Sequence, residues 1–105
     1  MARPKGSRGS WFAKWRGNDI PCVHRCWTSG TWPKYRDPYV DDSPRWASFI
    51  EALRDGRTIL TDDELDASGM PVSRKGYLSL WSIGDVSVSD GILEFEFRQR
   101  LEDFR

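Results

Sequence analysis

The sequence predicts an α+β fold that is mainly β, with one principal α-helix. Three observations support this prediction: two dipeptides typical of two-residue hairpin turns, Gly17-Asn18 and Asp90-Gly91, and a single stretch with helical periodicity, residues 43–56. The apolar runs outside that helix are short and separated by turn residues. We expect about five or six strands that form a small closed or half-closed β-barrel, with the helix inserted after the first hairpin.

Length and composition are those of one folded domain. The chain has 105 residues, among them six Trp, five Phe and three Tyr that can fill a core. We predict a flexible basic tail over residues 1–9 and a single small β-barrel-like domain over residues 10–105. No apolar run approaches the ~20 residues of a transmembrane helix, and the basic opening lacks the apolar segment of a secretory signal. We therefore expect a cytoplasmic protein with no membrane partner.

Residues 9–27 are predicted to form the first β-hairpin. With Gly17-Asn18 at its turn, Ala13 faces Cys22 across the ribbon. Because side chains alternate along a strand, one face combines the residues expected in the core. These are Trp11, Ala13, Trp15, Ile20, Cys22, His24 and Cys26, whereas Phe12, Lys14, Arg16, Val23, Arg25 and Trp27 share the other face.

A long loop separates this hairpin from the helix. Residues 29–44 are rich in Pro, Gly, Ser and Asp but also contain Trp32, Tyr35 and Tyr39. This segment is longer than the ~12–15 residues at which structureless loops become uncommon unless they are functional or disordered.

The helix itself has start and stop signals. Ser43 is a suitable N-cap, Pro44 suits the first helical position, and Gly56 suits the C-terminal stop. Its apolar stripe follows the spacing i, i+3, i+4, i+7 and consists of Trp46, Phe49, Ile50 and Leu53.

The last third of the chain is predicted to be β. Residues 57–61 indicate a short strand, and the capping-box spacing of the following acids indicates a helical turn near residues 62–66. Residues 67–76 indicate a loop, and residues 76–83 a strand with a bulge or kink at Gly84. A final hairpin turns at Asp90-Gly91, where Val88 faces Leu93. Its solvent side then carries Glu94, Glu96, Arg98 and Arg100.

Both cysteines and the only histidine lie within residues 22–26. On a strand, Cys22 and Cys26 are ~13 Å apart at their Cα atoms, too far for a disulfide or for shared zinc ligation with His24. A structural zinc also needs four ligands, and the chain has no further His or Cys. We expect these residues to be packed in a strand, with no metal bound.

Sequence motifs for catalysis or cofactor binding are not found. The acidic stretch 61–69 lacks the glycine and the distal Glu of a calcium-binding EF-hand, and no phosphate-binding or dinucleotide motif occurs. We therefore expect no cofactor and assign no catalytic residue. One enzymatic alternative stays open, a small enzyme that uses Cys22 with His24, although side chains two residues apart on a strand are only marginally close enough.

Charge and aromatic content point to a binding function. Residues 1–36 carry eight Lys and Arg against one Asp, a net charge of +7, whereas residues 37–72 carry nine acidic and three basic residues, a net charge of −6. Single-stranded nucleic acid is held by aromatic rings that stack on bases and by cations that contact phosphates. The predicted stacking residues are Trp27, Trp32, Tyr35 and Tyr39, and the predicted phosphate contacts are Arg16, Arg25, Lys34 and Arg36.

The leading hypothesis is thus a non-enzymatic module that binds single-stranded nucleic acid or exposed bases. Exposed Trp, Tyr and Arg also dominate protein–protein hot spots, so a protein-interaction module or a subunit of a larger assembly is the alternative. The fold class by itself does not decide between them.

Overall fold

The computed structural model describes residues 4–7, 11–28, 30 and 32–104. The strands are β1 (Lys5–Ser7), β2 (Phe12–Trp15), β3 (Asn18–His24), β4 (Lys34–Asp37), β5 (Arg57–Leu65), β6 (Pro71–Ile83), β7 (Ser87–Ser89) and β8 (Ile92–Asp103); the helix is α1 (Pro44–Leu53). A 3-10 turn, Arg25–Thr28, follows β3. The prediction of a mainly β fold with one principal helix is confirmed.

The strands form one open sheet rather than a closed barrel. Their order is β1-β2-β3-β5-β6-β8-β4, and β7 also pairs with β8. β3 and β5 are parallel, whereas the other pairs are antiparallel. In the described part of the chain the outer strands β1 and β4 do not pair, and the strands number eight, so the predicted barrel of about five or six strands is not confirmed. The long strand β8 joins two parts of the sheet. It pairs with β7 and β4 near its start and with β6 near its end.

Part of the predicted N-terminal tail is a strand. β1 pairs antiparallel with β2, with Gly6 opposite Ala13. Residues 1–3 and 8–10 lie outside the described residues, and a flexible tail stays a prediction for those positions.

The first hairpin turns at Arg16-Gly17, one residue before the predicted position. Both residues have positive φ, 49° and 82°, as a type I′ turn requires. Ala13 therefore pairs with Ile20 rather than with Cys22. This change moves the partner by two residues, so the strand residues from Ala13 to Cys22 keep their predicted faces. The same buried cluster accordingly contains Ala13, Trp15, Ile20 and Cys22. The prediction is wrong for Trp11, which packs against the cluster on the other face, and for Cys26, which lies in the 3-10 turn.

The last hairpin has the predicted register. Asp90 and Gly91 have φ of 53° and 75°, and Val88 pairs with Leu93. The side that was predicted to face solvent is exposed at Glu94, Glu96, Arg98 and Arg100.

Helix α1 has the predicted cap, stop and apolar stripe. The Ser43 hydroxyl oxygen accepts a hydrogen bond from the Trp46 backbone N–H at 3.3 Å, and Gly56 has a φ of 94° just after the helix. Trp46, Phe49 and Leu53 are buried, and Ile50 packs at the edge of the same cluster.

Four predictions from local signals are wrong. Residues 34–37, predicted as loop, form β4, and residues 25–27, predicted as strand, lie in the 3-10 turn. Residues 62–65 continue β5 instead of forming a helical turn, and residues 71–75 belong to β6 instead of a loop. Asp63 pairs with Arg74 and Glu64 with Ser73 across these strands. Cross-strand pairing over this length outweighs the weak capping signal, and the irregular register of β5 and β6 hides the alternation that would have indicated strands.

Buried side chains form two clusters on opposite faces of the sheet. Adjacent residues such as Ile59 and Leu60 belong to different clusters, as alternation along a strand requires. The helix cluster includes Phe12, Val23, Tyr35, Phe49, Leu53, Leu93, Phe95 and Phe97. The far cluster consists of Ala13, Trp15, Ile20, Cys22, Ile59, Leu80 and Phe104. In the part of the chain described here, no helix is long and apolar enough to span a membrane.

Candidate functional site

The two cysteines lie on different elements. Cys22 is on β3 and buried, whereas Cys26 is in the 3-10 turn and half-buried. Both are free thiols. Burial raises the pKa of Cys22 to about 12 and also raises the pKa of Cys26. Because the thiolate is the reactive form, both are poor nucleophiles at neutral pH.

His24 has a carboxylate partner that was not predicted. Its Nδ1 lies 3.0 Å from Oδ2 of Asp63, whose side chain is only 4% exposed. The same oxygen accepts a hydrogen bond from the Thr61 hydroxyl at 3.0 Å. The parallel pairing of β3 with β5 sets His24 opposite Thr61 and so creates this contact.

This arrangement does not assemble a metal centre in the described residues. No group of three or more His, Cys, Asp or Glu side chains there is placed to hold an ion. The thiol of Cys22 is 3.8 Å from the backbone oxygen of Ile20, so it is directed along its own strand. The His24–Asp63 pair therefore orients the histidine ring at the end of β3.

The four predicted stacking residues occupy three environments. Tyr35 is 1% exposed on β4 and stacks on Phe95, with ring centroids 5.0 Å apart, so it is not accessible for stacking on a base. Trp32 is 50% exposed and stacks on Phe97 at 4.9 Å. Trp27 and Tyr39 lie together, with centroids 5.6 Å apart. The structure thus places two of the four, Trp27 and Tyr39, in direct ring contact.

The four predicted phosphate contacts are each close to acidic side chains. Arg16 pairs with Glu102 at 3.2 Å. Arg25 lines a shallow groove with Asp62 and Asp63. On β4, Lys34 is opposite Glu96 and Arg36 is opposite Glu94. These cations are therefore distributed over the fold and partly neutralised.

A pocket of about 240 Å³ opens next to Trp27 and Tyr39. Its aromatic lining comes from the residue before β2, the 3-10 turn, β4 with the segment after it, and α1: Trp11, Trp27, Tyr35, Tyr39, Trp46 and Phe49. The rings of Trp11 and Trp46 meet edge to face with centroids 4.7 Å apart. Such contacts hold the rings in fixed positions, so the pocket is preformed.

Polar groups at the pocket are few. They include His24 and Asp37. Asp37 is 7% exposed; its Oδ1 accepts the Tyr39 backbone N–H at 3.0 Å, and its Oδ2 lies 3.5 Å from the Tyr35 hydroxyl. Burial raises the pKa of this carboxyl above its ordinary value, against the opposing effect of the hydrogen bond from Tyr39.

A tight turn forms one side of the pocket. Oδ1 of Asp66 accepts the backbone N–H of Ser68 at 2.8 Å and that of Met70 at 3.0 Å. This holds Met70 at the pocket, where its sulfur lies 3.8 Å from the Tyr39 hydroxyl. The turn thereby links residues 66–70 to the segment that follows β4.

The sequence analysis singled out three lining residues, Trp27, Tyr35 and Tyr39, but missed the other aromatic residues of the pocket. Trp46 and Phe49 were predicted only as core, and Trp11 was predicted on the opposite face. One signal was present, namely aromatic residues at both ends of a Pro-rich segment, but their convergence depends on β4 pairing with β8. No protein-family model, no curated protein and no solved structure shows a significant match to this chain.

Proposed function

We propose that the protein is a non-enzymatic binding module and that the aromatic pocket is its recognition site. The observation that carries this proposal is the concave, mostly aromatic lining around one buried carboxylate, Asp37. Ligand sites characteristically combine apolar walls with a few placed polar groups. The volume of about 240 Å³ exceeds the ~150 Å³ of an engineered cavity that holds benzene.

Binding is favoured over catalysis by the chemistry of the nearby groups. A nucleophile needs a lowered pKa or an adjacent base, and the pKa values of Cys22 and Cys26 are both raised. The contact of the His24 ring is with the Asp63 carboxylate, 3.0 Å away, and not with a cysteine thiol that it could activate. The hypothesis of a protein-interaction module uses the same pocket, with a side chain of the partner as the occupant. A cytoplasmic location stays a prediction.

Single-stranded nucleic acid is the second candidate ligand. Arg25 is exposed on the same 3-10 turn that carries Trp27, and Trp27 lies beside the exposed ring of Tyr39. A base stacked on these rings would bring its phosphate towards Arg25. The acidic neighbours of Arg25 count against this ligand, because they weaken the attraction for phosphate.

The proposal is tested by an NMR titration of the folded chain with a set of compact neutral and charged fragments. We expect shifts of the amide and indole signals at residues 24–27, 37–39 and 46–49. Tyr39→Leu is expected to weaken binding by about 1–2 kcal/mol, as truncation of an aromatic contact does. Trp32→Ala is the matched control, because Trp32 is similarly exposed but lies outside the pocket lining.

Two results would redirect the assignment. Fragments that bind only elsewhere would remove the pocket as the recognition site. A short single-stranded DNA that shifts Arg25, Trp27 and Tyr39, with an effect that fades as salt rises, would favour the nucleic-acid candidate.

A further inference from the structure

We propose that the aromatic pocket selects a compact organic cation, an alkylated ammonium group, over neutral or anionic groups of the same size. This inference rests on the proposed function, since it names the ligand class of the same pocket. Three features carry it: the aromatic faces, the buried carboxylate and the acidic segments at the rim.

The aromatic faces supply the first attraction. Ring faces carry partial negative charge, so a cation within ~6 Å of a ring centroid is stabilised, most strongly by Trp. Three Trp and two Tyr contribute to the lining, namely Trp11, Trp27, Trp46, Tyr35 and Tyr39, and one face of Trp11 is already covered by Arg45. The chain itself provides an example, because the Arg45 guanidinium lies over the Trp11 ring, 4.3 Å from its centroid.

Asp37 supplies the counter-charge. A carboxylate offers about four acceptor positions, and the two contacts from Tyr39 and Tyr35 leave capacity for a ligand. Within the described residues Asp37 takes part in none of the ion pairs. A bound cation would compensate the buried charge, and a charge that is paired in a desolvated site interacts more strongly than one in water.

Two acidic segments adjoin residues that line the pocket: residues 37–42 include Asp37 and Tyr39, and residues 62–66 precede Met70 and Pro71. Residues 37–42 contain three Asp, and residues 62–66 contain three Asp and one Glu. The contact between Tyr39 and Met70 holds the two segments together. The seven acidic residues of these segments outnumber the neighbouring cations Arg25 and Arg45, so the local charge is negative, which raises the concentration of cations at the pocket mouth and repels phosphates.

Basic side chains on the same elements are accounted for. Lys34 and Arg36 alternate with the pocket residues Tyr35 and Asp37 along β4, so they lie on the other face of the strand, opposite Glu96 and Glu94. Arg45 is placed over Trp11, and Arg25 is in the groove with Asp62 and Asp63. On β6, Arg74 donates a hydrogen bond to the Tyr77 hydroxyl at 2.9 Å, and Lys75 is exposed.

The test compares choline with 3,3-dimethylbutan-1-ol, the neutral molecule of the same shape in which carbon replaces the ammonium nitrogen. Both are titrated into the folded full-length chain and followed by NMR at the Trp indole signals. We expect choline to bind about 2- to 30-fold more tightly, the range that cation–π attraction corresponds to. Asp37→Asn should reduce choline affinity and leave the affinity for the alcohol unchanged.

Controls separate a role in recognition from a role in folding. Asp37→Asn keeps an acceptor for the Tyr39 N–H, and circular dichroism verifies that the variant is folded. Tyr39→Leu should weaken choline binding about 3- to 10-fold, and Trp32→Ala should not change it. A second arm uses a short peptide with one trimethyllysine and the same peptide with unmodified lysine. Tighter binding of the methylated peptide than of choline would identify a protein tail as the source of the cation. Tighter binding of choline would identify a free small molecule.

Several outcomes would overturn the inference, and they differ from failure of the proposed function. Equal affinity for choline and the alcohol would remove the preference for cations while leaving the pocket as a binding site. If Asp37→Asn weakened the binding of choline and of the alcohol equally, Asp37 would have a structural role and not a role in cation recognition. Absence of choline binding, with neutral fragments still bound at Trp27 and Tyr39, would reject the cation and keep the pocket.

Discussion

The two faces of the sheet are both covered by aromatic side chains, yet they differ in how closely those side chains pack. In the far cluster, Trp15 and Phe104 meet edge to face with centroids 4.8 Å apart, over Ile59 and Ala13, which are fully buried. In the helix cluster, the rings at its edge converge on the pocket instead of closing it. Small and branched side chains can fill the spaces between rings, whereas several rigid rings that meet at one edge leave a gap.

The aromatic residues of the two faces differ in their accessibility to a ligand. Far-cluster rings are surrounded by aliphatic side chains and contribute to stability. Trp27 and Tyr39 are held at their positions by turns and remain accessible, so their contribution to stability is smaller. The following predictions test this division.

The largest effect is expected from Phe104→Ala. Phe104 is 2% exposed although it is next to the last residue, and its backbone N–H bonds to the Leu78 carbonyl at 2.9 Å. Removal of its ring should lower the free energy of unfolding by about 3–5 kcal/mol, measured by urea denaturation. Leu101→Ala, at an exposed position, is the control and should cost less than about 1 kcal/mol. Similar losses for both would show that the far cluster is not closed.

Thiol labelling tests the burial of Cys22, which belongs to the far cluster and also lines the pocket. Since burial raises the pKa of Cys22 to about 12, its thiolate fraction at pH 8 is roughly 10⁻⁴. We expect Cys22 to react at least about 100-fold more slowly than the half-buried Cys26 in the folded chain, as followed by mass spectrometry. Fast labelling of Cys22 would contradict its burial and renew the enzymatic alternative.

Asp37→Asn should separate stability from binding. The folded pKa of Asp37 lies above its ordinary value of 3.8, so the folded chain holds this proton more tightly than the unfolded chain. The free energy of unfolding therefore falls as pH rises through the interval between the two values. The variant with the neutral amide lacks this loss and should be more stable than wild type at neutral pH.

The pH dependence needs a comparison of the two proteins at each pH. Hydrogen bonds lower the pKa of Asp41 and Asp66, which produces the opposite slope, but both proteins share that contribution. The stability difference between Asp37→Asn and wild type should thus grow from about pH 4 upwards. A difference that is constant with pH would show that Asp37 has the same pKa in the folded and unfolded states.

The smallest effect on stability is expected from Tyr39→Leu. Tyr39 is 56% exposed and its ring makes its contacts at the pocket mouth. The free energy of unfolding, measured by thermal denaturation, should change by no more than about 0.5 kcal/mol, even though ligand affinity falls. A large destabilisation would show that Tyr39 contributes to stability as the far-cluster rings do, and would contradict the proposed difference between the two faces.

Particular elements show what could be predicted. The Asp90-Gly91 hairpin and helix α1 have local signals that agree with their hydrophobic patterns, and both were predicted with the observed register or cap. β4 was predicted as loop because three of its four residues are charged and it follows a Pro. The first turn was displaced by one residue because both Arg16-Gly17 and Gly17-Asn18 are compatible with a two-residue turn.

The sequence by itself determined the β-rich class, the helix, the presence of both hairpins and the faces on which the side chains of their central strand residues lie. These features follow from turn chemistry, capping and periodicity, which act over a few residues. The tertiary structure alone decided the open sheet, the His24–Asp63 pair and the aromatic pocket. Each of these depends on pairings between distant segments, β3 with β5 and β4 with β8, and strand partners far apart in the chain leave no local signal.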